Sequence, residues 1–165
     1  MIEIGVQQIM LSSLSKNDET LLESLKRVKE YGYDSIELNS FMIHPSSFLV
    51  RTLTRAAGMA VGNTGKRDWK NLILQSGLKV ISLHSDLNSI ERDPKSVAEE
   101  ALEYGTDKVV ITGMYRYDYT SSSSLSSLTA RLDEGGRRLK EYGVSLLYHN
   151  HNIETVKDEK GRTAL

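Results

Sequence analysis

Cysteine is absent from this 165-residue chain. Disulfides and thiolate metal sites are therefore excluded, and any metal must be held by histidine, carboxylate, amide or water. An excess of charge of either sign is also absent. Lys plus Arg number 21 against 22 Asp plus Glu, a net charge of −1, and no long basic run occurs. A polyphosphate partner, nucleic acid above all, is disfavoured. No apolar run approaches the ~20 residues of a membrane span, so no membrane association is expected. The opening "MIEIGVQQIML" carries Glu3 and two glutamines without a basic leader, unlike a secretory signal. The expectation is a cytoplasmic protein. Nucleotide fingerprints are missing too: neither GxGxxG nor GxxxxGK[ST] follows the first strand-like run. "GNTGK" (62–66) lacks the strand–loop–helix spacing of a phosphate loop and reads as turn chemistry.

What is present suits one globular domain over residues 1–165, with 39% hydrophobic content. Five runs rich in Val, Ile and Leu read as strands: Ile2–Gln7, Asp34–Asn39, Leu78–His84, Asp107–Gly113 and Val144–His151. Such apolar runs suit parallel strands covered on both faces. Helical patterns lie between them. Asp18–Tyr31 carries Leu21, Leu22, Leu25 and Val28 on one stripe, and Gly32 suits the left-handed closing position. Asp68–Gln75 is shorter. Asp93–Tyr104 opens with a cap residue and a proline, and Ser124–Tyr142 has leucines at helical spacing. Regular β/α alternation implies a parallel sheet with right-handed crossovers. Two stretches break the rhythm: residues 41–69, with a short helix expected at Ser46–Ala57, and the polar loop Tyr115–Ser124.

Polar residues gather where the strands end, and α/β folds bind ligands there. Glu37 closes the second strand, His84 and Asp86 the third, and Tyr115 and Asp118 follow the fourth. The fifth ends in "LLYHNHN" (146–152), with Glu154 soon after. Residues i and i+2 of a strand share a face, so His149 and His151 point the same way. A His-x-His pair can grip one divalent ion, although further ligands must come from other strands. The plainer reading of any one such residue is a hydrogen bond to a nearby loop. Glu37 within an apolar strand is costly to bury without a partner. His44, before Pro45, reads as structural or exposed, and Trp69 as a packing anchor.

"SLHSDLNSIERDP" (82–94), "DKVVITGMYRYDY" (107–119) and "GVSLLYHNHNIE" (143–154), in that order, resemble the xylose isomerase-like TIM barrels. They are most similar to the sugar phosphate isomerase/epimerase group, and the resemblance covers essentially the whole chain. It implies an α/β fold of the parallel (β/α)8 barrel type, with five of the eight βα units present. The chain is then the N-terminal part of the barrel, a single domain. A divalent ion (Mn, Zn, Mg or Co) is implied at the C-terminal strand ends.

The implied activity is isomerisation or epimerisation of a sugar or sugar phosphate. A proton is removed next to a carbonyl, through an enediolate. On this resemblance His149 and His151 are the expected metal ligands, and His149 and Glu154 the catalytic groups. Glu37, His84, Tyr115 and Asn150 are the expected substrate-binding residues, Asn150 by steadying the neighbouring loops. Many relatives carry a glutamate where this chain has His149, which separates it from a two-glutamate mechanism. The alternatives are a non-catalytic half-barrel that binds a carbohydrate or a partner chain, a polyol-ketone dehydratase, and an apurinic-site endonuclease. The expected partner is a small sugar or polyol. Open sheet edges would be covered by self-association or by a partner chain.

Overall fold

The computed structural model describes residues 3–14, 17–44, 52, 67–112, 114 and 117–164. Five parallel strands form one sheet in the order β1-β2-β3-β4-β5. They are Gly5–Gln7, Ser35–Asn39, Lys79–Ser85, Lys108–Thr112 and Ser145–His149. Spatial order that follows chain order, without reversal, is the progression of a barrel rather than of a doubly wound sheet. In register, Gln7 sits opposite Glu37 on β1 and β2, and Thr112 opposite His149 on β4 and β5.

The helices among the described residues are α1 (Asp18–Glu30), α2 (Ser40–Ile43), α3 (Trp69–Ser76), α4 (Leu87–Arg92), α5 (Pro94–Glu103) and α6 (Ser122–Lys140). Two 3-10 segments, Gln8–Leu14 and Asn152–Thr155, follow β1 and β5. The expected strands and four of the helices are found with ends shifted by a few residues. β5 stops at His149 rather than running to His151. The helix expected at Ser46–Ala57 lies, except for residue 52, outside the described residues, as does 62–66.

The chain forms two compact units. The first comprises Met1–Leu83 and Tyr104–Thr106. Here α1 begins at the Asn17 cap, whose Oδ1 accepts the Thr20 N–H at 2.8 Å. Its Leu21 and Leu25 are fully buried, and α1 packs against α3, where Trp69, Leu72 and Ile73 are also buried. Trp69 is thus the packing anchor its sequence context suggested, whereas His44 is exposed. Strand β2 alternates: Ile36 and Leu38 are fully buried on one face, and Ser35, Glu37 and Asn39 line the other.

The second unit comprises His84–Glu103 and Asp107–Leu165. Helix α6 packs on β5, α4 and α5, with Leu128, Gly135 and Leu139 buried. Gly135 permits the close approach. A Cβ there would meet Ile90 Cγ2 at 3.4 Å and Leu87 Cδ1 at 3.5 Å. Arg131 grips Glu91 with both arms, Nε to Oε1 at 2.6 Å and Nη2 to Oε2 at 2.9 Å. Arg138 donates to the Glu91 carbonyl at 2.6 Å, near the C-terminal end of α4 where unpaired carbonyls collect. Asp93 caps α5 by accepting the Ser96 N–H at 3.0 Å, with Pro94 in the first helical position as its sequence implied. No helix among the described residues is long and apolar enough to cross a membrane.

Candidate metal centre

In the first unit, strand pairing brings β1 beside β2 and sets Gln7 next to Glu37. The Gln7 side-chain amide donates to Glu37 Oε1 at 2.7 Å, and the Ser82 hydroxyl donates to Oε2 at 2.6 Å. Each carboxylate oxygen accepts one of these bonds, and together they fix the orientation of the carboxylate. The cost of a carboxyl on a half-buried strand face is met by this pairing.

In the second unit, His84 near the end of β3 is 7% exposed. Its ring stacks on that of His149, the last residue of β5, with centroids 5.4 Å apart and planes 12° apart. The His151 ring stacks in turn on His149, at 4.8 Å and 19°. His149 and His151 do face the same way, although the strand ends between them. His151 holds an extended backbone (φ −119°) ahead of the following 3-10 turn, and this preserves the alternation.

Imidazoles from two strands of the second unit thus meet, and His84 and His149 are its candidate metal ligands. Imidazole is a donor that divalent first-row ions accept, so the residues present fit such an ion. His84, read from sequence as a substrate contact, joins His149 here, and His151 lies beside it.

The remaining expected residues fall as follows. Asn150 is exposed directly after β5. Tyr115 lies outside the described residues. Glu154 is 1% exposed, and both its oxygens are engaged. Oε1 accepts the Tyr148 hydroxyl at 2.8 Å, and Oε2 accepts the His151 backbone N–H at 2.9 Å. Asp86 caps α4 through the Ser89 N–H at 3.0 Å, and Asp118 accepts the Thr120 N–H and hydroxyl at 2.9 and 2.7 Å. The Thr120 bonds hold the Asp118 carboxyl below its ordinary range.

Sequence reasoning missed a tyrosine pair. Tyr119 and Tyr148 share a hydrogen bond at 3.0 Å, and Tyr119 also accepts the Met114 N–H at 2.7 Å. Burial, then the bonds to Tyr119 and Glu154, push the Tyr148 hydroxyl above its usual value, so it stays protonated as a donor. A glutamate six residues after a strand tyrosine is a weak signal. The rule that buried hydroxyls find partners could have paired them.

No family model matches the chain, and no curated protein matches it in sequence. Solved structures match in three dimensions. A sugar phosphate isomerase/epimerase from Parabacteroides distasonis aligns with a TM-score of 0.68 at 22% identity, over 93% of this chain and 56% of its own. A xylose isomerase-like TIM barrel protein from Mycobacterium smegmatis, in complex with magnesium, aligns at 0.55 and 14%, over 90% and 56%. The IOLI protein with a bound zinc atom aligns at 0.57 and 16%, over 90% and 51%. These likenesses show the fold, a partial α/β barrel. The chain spans little more than half the length of these structures.

Proposed function

We propose that this chain is the N-terminal part of a metal-dependent sugar isomerase or epimerase. The observation that carries the reading is the run of stacked rings His84–His149–His151 at strand ends of this fold. The zinc and magnesium in two similarly folded proteins, and the isomerase/epimerase name of a third, favour it.

In this reading His84 and His149 hold the ion. A divalent ion supplies a positive centre that polarises a carbonyl and its neighbouring hydroxyl, easing loss of a carbon-bound proton. The exposed His151 ring beside His149 supports a role in carrying that proton. Glu154 is fully engaged with Tyr148 and the His151 backbone, which favours positioning of the His151 turn over contact with substrate.

The test is solvent deuterium wash-in. The metal-loaded chain is incubated in D2O with a panel of ketoses and followed by proton NMR. Deuterium at the carbon next to the carbonyl, absent in His149→Ala, is expected. Failure of every ketose and ketose phosphate to exchange, with metal bound, would remove the isomerase reading and leave a binding role.

A further inference from the structure

Two buried side-chain amides at the ends of β1 and β2 each keep a donor without a partner among the described residues. Gln8, directly after β1, is 1% exposed, and Asn39, the last residue of β2, is 4% exposed. Gln8 Oε1 accepts the Asn39 backbone N–H at 2.7 Å. That bond fixes the Gln8 amide, because a half-turn of the group would set donor against donor. Gln8 Nε2 then faces elsewhere. Neither it nor Asn39 Nδ2 has a hydrogen-bond partner among the described residues.

Protein interiors rarely leave such donors unsatisfied, and a joined pair of them calls for an acceptor from outside. Their place is informative. Both sit at C-terminal strand ends, where barrels of this type bind their ligands. Asn39 also shares a strand face with Glu37, two residues before it.

The chemistry narrows the ligand. An amide NH2 donates to oxygen and carries no charge. A phosphate brought to Asn39 would meet the Glu37 carboxylate on the same face, and like charges repel. A hydroxyl or carbonyl oxygen meets no such opposition. We propose that Gln8 and Asn39 are specificity-determining residues, whose Nε2 and Nδ2 donate to oxygens of an unphosphorylated sugar or polyol. The choice of ligand class rests on the function proposed above. The donors themselves do not.

The test is calorimetric titration of the metal-free chain with D-fructose and D-ribulose and with their phosphate esters. Asn39→Leu removes the side-chain donor and keeps the backbone N–H that Gln8 accepts. In the wild type, each free ketose should bind more tightly than its ester. Asn39→Leu should weaken ketose binding about tenfold or more. A measurement without substitution guards against misfolding: in 15N-labelled wild type, the Gln8 and Asn39 NH2 signals should shift as ketose is added. Tighter binding of the esters, no binding of either ketose, or unmoved NH2 signals with unchanged affinity in folded Asn39→Leu would each overturn the proposal.

Metal titration of the same proteins separates the two readings. Asn39-dependent ketose binding in a chain that takes up no metal supports the donor pair and sinks the metal centre. Metal uptake with ketose binding indifferent to Asn39 sinks the donor pair alone.

Discussion

Burial raises the pKa of a carboxyl, and burial is the strongest influence on Glu154. The Tyr148 hydroxyl, the His151 backbone N–H, its own N–H and the His151 charge nonetheless hold it below the usual 4.5. The sign of its pH effect follows. A depressed carboxyl stabilises the fold above its unfolded-state pKa of about 4.3, and that stability is lost as pH falls through the folded value. Glu154→Gln should therefore flatten the acid limb of a stability-versus-pH curve, measured by urea unfolding between pH 3 and 7. It should also lower stability at pH 7 by about 1–3 kcal/mol, because a buried donor loses its acceptor. An acid limb as steep as that of the wild type would contradict this. The residues of the site were legible from sequence to different depths. His84, His149 and Glu37 stood out as polar groups ending apolar runs. Their sorting into ligand or substrate contact did not, since that depends on which strand ends meet. Gln8 and Asn39 gave no signal, because an amide at a strand end is ordinary until its partners are known.

Elements with strong local grammar were readable. Helix α5 announced itself by a cap and a proline, and α6 by its leucine spacing. Helix α4 was missed because its six residues offer only Leu87 and Ile90 as apolar signal, too few to show a period. Asp86, noted as a possible site residue, caps it. The glycines near α6 make a paired prediction. Gly143 follows the helix at φ +78°, and a Cβ there would meet nothing within 4 Å. Gly143→Ala should cost about 1–2 kcal/mol through backbone strain alone. Gly136 lies inside the helix, where a Cβ would meet Leu146 Cβ at an ordinary 3.7 Å. Gly136→Ala should stabilise by roughly 0.4–1 kcal/mol. Urea midpoints of the two variants should move in opposite directions, and a shift of the same sign would refute the backbone argument.

At the scale of the molecule, β/α alternation pointed to a parallel sheet. Strand order following chain order then distinguishes a barrel from a doubly wound sheet, a distinction periodicity does not carry. Likeness to solved barrels over 93% of this chain but 56% of one neighbour's makes the activity of this chain by itself an experimental matter. A net charge of −1 gives no electrostatic drive toward nucleic acid. An abasic DNA duplex should show no binding to the chain in a fluorescence-anisotropy titration at about 0.15 M salt, where the Debye length is short. Salt-sensitive micromolar binding would reopen the nuclease alternative. The central claim is that His84 and His149 hold a divalent ion, and elemental analysis of the purified chain tests it most directly. The account predicts about one Mn, Zn, Mg or Co per chain, lost in His84→Ala and His149→Ala variants whose circular dichroism matches the wild type. A wild-type chain that remains metal-free after exposure to each ion, or folded variants that retain the ion in full, would contradict it.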